Sequence, residues 1–325
     1  MHRIFSLPMP KTYTNAQFVL CFILLLSLSS LSQAQELKAI EQKEGILVTE
    51  GQQKVLFYQK AINSLNGEYK KNHYIHPLYD LEGHVLTEDF PKGHLHQRGI
   101  FWAWHQVLLD GKKLADMWAI QNFTWDIKSV GIQRMGKKLL LKPEVYWKSS
   151  NLTDNHGKKI PFVKENSTIT IHPSENDMRM IDFNMHIQAL KANLELGGSD
   201  NEKGYGGFSA RIKLPENIKF IATYGEPEAK VTAVPASPWM DFVGSFHDPS
   251  SQSGLLILCH PSNPGFPHKW IIRDQGSMQN PVYPGRKPVA VEQSKPLMLR
   301  YRMVIHRKPI TREKIKELFT HYKQK

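Results

Sequence analysis

The chain has 325 residues, with 42 Lys and Arg against 30 Asp and Glu, a formal net charge of +12 and two cysteines. This length is enough to bury a large core, while so few cysteines exclude a disulfide-stapled scaffold. The charge favours anionic partners such as acidic polysaccharide, although lysine pairs in predicted turns account for much of it. We find no P-loop, dinucleotide fingerprint, G-x-S-x-G elbow or nucleic-acid recognition motif, so nucleotide, serine-hydrolase and nucleic-acid functions are not expected.

The N-terminus has the pattern of a secretory signal peptide over residues 1–34. A polar, basic start precedes the apolar run Phe18–Leu31, and small residues follow it at the cleavage position. The run is too short to span a bilayer comfortably. We therefore expect a mature chain of residues 35–325 without a membrane span, located in the periplasm or outside the cell, with Cys259 as its one thiol.

Short runs rich in β-branched and aromatic residues recur along the mature chain, with turn signals between them. The predicted strands are Gly45–Thr49, Lys54–Tyr58, Tyr74–Tyr79, Gly99–Val107, Trp125–Arg134, Lys138–Trp147, Ser167–Pro173, Arg179–Ala189, Phe208–Lys213, Trp239–Gly244, Gly254–His260, Trp270–Asp274 and Leu297–His306. This spacing predicts an antiparallel all-β domain. Over residues 180–189 polar and apolar residues alternate, which predicts a sheet packed on a second sheet.

Helix signals are confined to the end of the chain. Thr311 is a predicted N-cap for a short helix with Ile315, Leu318 and Phe319 on one stripe. The segment Asn193–Gly207, rich in glycine and charge, predicts a long loop. Because no linker or internal repeat divides the chain, we expect a single large antiparallel β-sandwich with a short C-terminal helix.

The stretch DFPKGHLHQRGIFWAWHQV, residues 89–107, concentrates three histidines, an arginine and two tryptophans. If residues 94–98 are extended, His94, His96 and Arg98 share one face because side chains alternate along a strand. Imidazole exchanges protons near neutral pH, and a guanidinium holds carboxylates through its planar fork. This pattern predicts a catalytic surface.

Aromatic and polar residues on either side of that surface are predicted substrate contacts. Trp102 and Trp104 continue the register of Arg98 and offer flat rings for stacking on a sugar. Upstream, the segment YIHPLYD offers His76 and Asp80.

A second dense segment follows at residues 260–281, where proline-bearing loops carry polar and aromatic side chains. The residues expected in the same pocket are His268, Trp270, Arg273, Asp274 and Asn280. Asp241, flanked by apolar residues in WMDF, is a candidate general acid, and with Asp274 it forms the one carboxylate pair we nominate for glycoside hydrolysis.

Other roles remain open for these residues. His94 and His96 are alternatively ligands of a transition metal, or they satisfy loop hydrogen bonds. Arg98 is alternatively a structural partner of Asp89 or Glu88. For the tryptophans the alternative is core packing, and for Arg273 and Asp274 it is an ion pair. No cofactor is firmly implied.

The segments HPLYDLEGHVLTEDFPKGHLHQRGIFWAW and WMDFVGSFHDPSSQSGLLILCHPSNPGFPHKWIIRDQGSMQNP resemble a secreted bacterial family catalogued as PmoA-like, after a methane oxygenase subunit. The H-x-H-x-R-G core and the late H-x-W-x-x-R-D run carry the resemblance, which covers most of the mature chain. It implies a fold like the galactose mutarotase supersandwich. The catalytic His and Glu of a mutarotase have no matching positions here.

Together these observations predict an exported carbohydrate-active enzyme that uses a groove lined by histidine and arginine for acid/base chemistry on a sugar. The positive charge favours an acidic or oxidised sugar, and the reaction is that of a lyase, a glycoside hydrolase or an epimerase. The alternative is a non-catalytic carbohydrate-binding protein. A metal-dependent oxygenase, as the family name suggests, is the third hypothesis.

Overall fold

A computed structural model of the protein describes residues 36–276 and 278–324, and the predicted signal peptide lies outside them. From Glu36 onward the chain forms one compact unit. The strands pair antiparallel throughout the described residues, which also contain one short α-helix near the C-terminus. The predicted all-β fold class is confirmed. None of the described helices has the length and apolar character needed to cross a membrane.

Two large sheets dominate the fold. The six-stranded sheet has the spatial order β1 (Leu37–Glu41), β2 (Gly45–Glu50), β3 (Gln53–Gln59), β6 (Tyr74–Leu78), β7 (Ile100–Ala103), β15 (Gly207–Ala210). The eight-stranded sheet has the order β10 (Phe123–Met135), β11 (Lys138–Thr153), β12 (Lys159–Ile171), β13 (Met178–Ala189), β22 (Leu297–His306), β18 (Ser253–Cys259), β17 (Trp239–Gly244), β16 (Lys219–Ile221).

Three smaller sheets complete the fold. The four-stranded sheet has the order β21 (Val289–Val291), β14 (Leu194–Gly197), β8 (Gln106–Leu109), β9 (Lys112–Ala115). The two-stranded sheets pair β4 (Asn63–Leu65) with β5 (Glu68–Lys71) and β19 (Trp270–Ile271) with β20 (Asn280–Pro281).

The main core lies between the two large sheets. Phe208 of β15 stacks on Tyr301 of β22 with ring centroids 4.6 Å apart, and it packs on Phe183 of β13 at 5.1 Å. The alternation predicted for residues 180–189 is observed, since the apolar positions of β13 are buried and the polar positions are mostly half-buried. One face of β13 therefore lies in the sandwich core, as expected from its period of two.

Helix α1 (Arg312–Lys323) covers part of the eight-stranded sheet. The Oγ1 of Thr311 accepts a hydrogen bond from the backbone N–H of Lys314 at 3.2 Å, so the predicted N-cap is confirmed. Ile315 and Leu318 are buried against Trp239 and other apolar residues of that sheet. The eight-stranded sheet thus has a second, smaller core on the side away from the six-stranded sheet.

The structure corrects two predicted elements. The strand predicted over residues 99–107 is broken at Trp104 and His105, because the Trp104 carbonyl accepts hydrogen bonds from the N–H groups of Met117 and Trp118 at 3.0 and 3.3 Å. Strand β7 therefore belongs to the six-stranded sheet and β8 to the four-stranded sheet. The loop predicted over residues 193–207 contains strand β14. The break leaves His105 at a corner between two sheets.

Candidate functional site

A hydrogen-bonded pair of His105 and Asp116 occupies this corner. The Nδ1 of His105 lies 3.0 Å from Asp116 Oδ2. Because an ionised carboxylate only accepts hydrogen bonds, Nδ1 carries the ring proton and Nε2 keeps a lone pair when the ring is neutral. Within the described residues Nε2 has no hydrogen-bond partner. The pair thus has the geometry of a general base held in one tautomer by a carboxylate.

Asp116 is fixed by further contacts and stays ionised. Its Oδ1 accepts a hydrogen bond from the Ala119 N–H at 2.8 Å, and Lys113 Nζ lies 3.1 Å from Oδ2. Burial alone would raise the pKa of Asp116, but hydrogen bonds from His105 and Ala119 hold it below its ordinary value. The side chain of His105 is 20% exposed and that of Asp116 is 7% exposed, but the Nε2 atom of His105 is itself buried, so solvent reaches only other atoms of the ring.

Two aromatic residues frame the His105 ring. Trp118 stacks on it with centroids 5.5 Å apart, and Tyr205 meets its edge at 5.1 Å. Burial, reinforced by the charge of Asp116, raises the pKa of the half-buried Tyr205. Its hydroxyl therefore keeps its proton at neutral pH and can donate it. A base and a proton donor stand next to each other.

His96 adds a neutral imidazole to this neighbourhood. Burial, followed by the positive charges of Lys71, His94 and His105, lowers the pKa of His96 to about 4. His96 therefore lies close enough to His105 and Asp116 to feel their charges. We name the group formed by His94, His96, His105, Asp116 and Tyr205 the histidine corner.

His94 connects the corner to the second dense segment. Its ring centroid lies 6.2 Å from that of His96. Burial and the charge of Arg211 lower the pKa of His94, while a hydrogen bond to the Gly276 backbone acts in the opposite direction. The expected approach of the two segments is therefore observed at Gly276.

Lys71 lies behind the corner and is 1% exposed. Its Nζ is 3.7 Å from the centroid of the Phe101 ring and has no hydrogen-bond partner within residues 36–276 and 278–324. Burial and the charge of Arg98 lower the pKa of Lys71 well below its ordinary value. We did not predict a role for this amine from the sequence.

The predicted extended face of His94, His96 and Arg98 is wrong. The His94 N–H donates to the Pro91 carbonyl at 3.1 Å and the Gln97 N–H donates to the His94 carbonyl at 2.9 Å, so this segment consists of turns. Turns do not alternate their side chains as strands do. The two histidines face the corner, whereas Arg98 does not.

Arg98 is fully buried and structural. Its guanidinium pairs with both carboxylate oxygens of Asp89 and donates to the hydroxyl of Tyr74. The next residue, Gly99, has a φ of +56°, and a Cβ there would lie 1.9 Å from the Ile75 carbonyl oxygen. The alternative role that we considered, a salt bridge to Asp89, is the one observed, so Arg98 is not free to hold a substrate carboxylate.

The three tryptophans that we expected to stack on a sugar belong to the core. Trp102 donates to Glu165 Oε1 at 3.0 Å, Trp104 to the Tyr283 carbonyl at 3.0 Å, and Trp270 to the Ser237 carbonyl at 2.9 Å. All three are almost completely buried. Their core alternative is therefore correct, and the half-buried Tyr205 is the aromatic residue that faces the corner.

The two carboxylates nominated for hydrolysis do not share a groove. Asp241 is fully buried on β17, where its Oδ1 lies 2.9 Å from the Nε2 of His306. Asp274 is exposed and lines a surface pocket with Glu88. A buried carboxylate and a surface carboxylate cannot act from two sides of one glycosidic bond.

The remaining residues of the second segment have other partners. Arg273 donates to the carbonyl groups of Lys230 and Val231. Asn280 is buried and donates to the Gly206 and Phe208 carbonyl groups at 3.0 and 2.7 Å. Both hold loops in place. His268 lines a different cavity, beside Tyr283.

The upstream candidates also serve local structure. His76 Nδ1 lies 3.0 Å from Thr87 Oγ1. Asp80 Oδ1 accepts hydrogen bonds from the Glu82 and His84 N–H groups at 2.9 and 2.8 Å, which closes a tight turn. Neither residue is part of the histidine corner.

Metal-ligand spacing occurs at one place in the described part of the chain, at Asp80, Glu82 and His84. His94 and His96 therefore have no third ligand at suitable spacing within that part. At the observed place, the Asp80 oxygens already cap a turn and Arg307 pairs with Glu82.

We did not predict His105, Asp116, Trp118 and Tyr205 from the sequence. His105 is the third histidine of the stretch that we quoted, and the DMW segment follows it after one hairpin. The sequence signal for this site was the presence of Asp116 and Trp118 one hairpin after His105. The strand break at Trp104 that brings these residues together is not indicated by any sequence pattern.

The fold and the corner define a β-sandwich protein with a histidine-rich surface site. A family model matches residues 45–320, and the chain belongs to that family, DUF6807, whose function is unknown. No curated protein matches the chain in a sequence comparison.

Proposed function

We propose that the protein is an exported carbohydrate-active enzyme whose histidine corner performs acid/base chemistry on a sugar. The observation that carries this proposal is the His105–Asp116 pair next to Tyr205, in which the buried Nε2 of His105 has no partner among the described residues. A base of defined tautomer beside a proton donor is the minimum that a lyase or an epimerase requires. The resemblance to a mutarotase-like family supports a sugar as substrate.

The corner favours elimination from an acidic sugar. His105 Nε2 takes the proton from the carbon next to the sugar carboxylate. The electron pair of that C–H bond forms a carbon–carbon double bond as the bond between the neighbouring carbon and the glycosidic oxygen breaks, and Tyr205 gives its proton to that oxygen. The exposed ammonium group of Lys113 beside Asp116 favours a substrate that carries negative charge. Hydrolysis by the carboxylates of Asp241 and Asp274 is not proposed, because Asp241 is buried.

The test is incubation of the mature protein with neutral and uronic oligosaccharides, reading new reducing ends and the ultraviolet absorbance of new double bonds. We expect product from uronic substrates, and a loss of about 10²- to 10⁴-fold in turnover for His105→Asn. The matched control is His156→Gln, which changes an exposed histidine in the turn between β11 and β12.

Three outcomes would reject the proposal in favour of an alternative. Binding of an oligosaccharide without product would identify a non-catalytic binding protein. A stoichiometric transition metal in protein purified without chelator, with oxygen-dependent turnover, would identify an oxygenase. Equal turnover of the wild type and His105→Asn would place the chemistry elsewhere.

A further inference from the structure

A cavity lies beside the two proline-bearing loops of residues 264–269 and 282–286. Its volume is about 800 Å³, which is within the range of small-molecule sites. Much of its wall consists of glycine and proline residues, namely Gly204, Pro264, Gly265, Pro267, Pro284 and Gly285. Such walls allow a ligand to approach the backbone closely.

His268 lines this cavity and has a buried ring nitrogen without a partner. The residue is 3% exposed, and its Nε2 has no hydrogen-bond partner among the described residues. Burial lowers the pKa of His268 to about 4, against the effect of a hydrogen bond to the Val282 backbone. The ring is therefore neutral at pH 7, and its Nε2 is the nitrogen without a partner. An unpaired buried acceptor is unfavourable unless a ligand satisfies it.

Tyr283 provides a donor beside this acceptor. The ring centroids of His268 and Tyr283 are 5.8 Å apart. Burial raises the pKa of Tyr283 to about 12, so its hydroxyl keeps its proton. A sugar hydroxyl both donates and accepts hydrogen bonds, and this pair of side chains offers one of each.

The rim of the cavity is cationic. Lys203, Lys269 and Arg286 line it together with one carboxylate, that of Glu202. Arg286 is already paired with Asp200 at 3.0 Å. The two lysines therefore give the rim its positive character, which favours an anionic ligand.

We propose that this cavity binds a short oligosaccharide bearing a carboxylate or a sulfate, with a hydroxyl held between His268 and Tyr283 and the anion at Lys203 and Lys269. The inference is independent of the proposed function, because the cavity uses no residue of the histidine corner. The chain links the two places directly, since Gly204 lines the cavity and Tyr205 contacts His105.

The experiment is isothermal titration of the mature protein with a neutral galactose trisaccharide and with its uronate and sulfated counterparts. We expect the anionic trisaccharides to bind at least about tenfold more tightly than the neutral one, which corresponds to about 1.4 kcal/mol. The double variant Lys203→Ala/Lys269→Ala should abolish this preference. His268→Phe should weaken binding of all three ligands about tenfold. Lys54→Ala/Lys219→Ala, which removes two exposed lysines elsewhere, is the matched control and should bind as the wild type does.

Several results would overturn the inference. These are an absence of binding by any trisaccharide, binding that neither the rim variant nor His268→Phe weakens, and binding that His105→Asn abolishes, which would place the ligand at the histidine corner. Circular dichroism establishes whether His268→Phe is folded. If it is not, the rim variant alone decides, because both of its lysines lie at the surface of the cavity.

Discussion

Two histidine–carboxylate pairs of this protein have nearly the same geometry and opposite surroundings. His105 lies 3.0 Å from Asp116, and His73 lies 2.8 Å from Glu165. The side chain of His105 is 20% exposed, whereas that of His73 is 1% exposed. The two pairs therefore differ in the exposure of the ring and in the unpartnered, though buried, Nε2 of His105, and not in distance.

Both ring nitrogens of the buried His73 have hydrogen-bond partners. His73 Nδ1 lies 2.6 Å from the hydroxyl of Tyr58, so both ring nitrogens are engaged. Glu165 also accepts hydrogen bonds from Trp102 and Trp147, at 3.0 and 2.8 Å. Such a saturated network holds the two large sheets together and has no group left for a substrate.

The largest expected effect separates the two pairs by activity. Asp116→Asn should lower turnover about 10²- to 10⁴-fold, because an amide does not select the Nδ1–H tautomer of His105. The free energy of unfolding should fall by about 1–3 kcal/mol, because Asp116 is only 7% exposed and is hydrogen-bonded. Steady-state rates and urea unfolding of the same preparation measure both quantities. A loss of stability with turnover retained would reverse the roles of the two pairs.

The next largest effect is on stability, at the buried pair. Glu165→Gln should lower the free energy of unfolding by about 3–5 kcal/mol, because it removes the carboxylate charge that its buried partners contact. The folded fraction should keep its turnover per molecule. Urea unfolding combined with activity measured per folded molecule tests this, and unchanged stability would contradict it.

His268 extends the comparison to a buried histidine without a carboxylate. Its pKa is lowered to about 4 from an ordinary value of 6.5, so between these pH values the unfolded chain binds a proton that the folded chain does not. Its contribution to stability is full above pH 6.5 and decreases by up to about 3 kcal/mol as the pH falls to 4. Urea midpoints over this range should show a shallower decrease for His268→Gln than for the wild type. Parallel curves would exclude this histidine as the cause.

The smallest effect concerns the outer ion pair of the corner. Lys113 is 56% exposed where it contacts Asp116, and exposed ion pairs contribute at most about 1 kcal/mol. Lys113→Ala should therefore lower turnover less than about fivefold. A larger loss would show that the ammonium group itself contacts the substrate.

The fold was predictable from the sequence, because alternation and turn signals act locally. Met180–Ala189 and the Thr311 cap behave as their patterns predict. For the site, the sequence indicated the segment of the chain but not which of its residues take part. His94 and His96 face the corner, but Arg98, Trp102 and Trp104 are buried, because turns at residues 91–97 and the break at Trp104 change which side each residue faces. Those changes depend on contacts with distant segments, which a pattern of neighbouring residues does not record.

The most direct test of the account is the tautomer of His105, observed by imidazole nitrogen–proton correlation NMR on protein labelled with ¹⁵N-histidine and assigned with His105→Asn. We predict that the neutral ring is the Nδ1–H tautomer with an unprotonated Nε2, and that Asp116→Asn shifts it toward Nε2–H. A neutral ring with the proton on Nε2 in the wild type, or a spectrum that Asp116→Asn leaves unchanged, would contradict the assignment of His105 as the base.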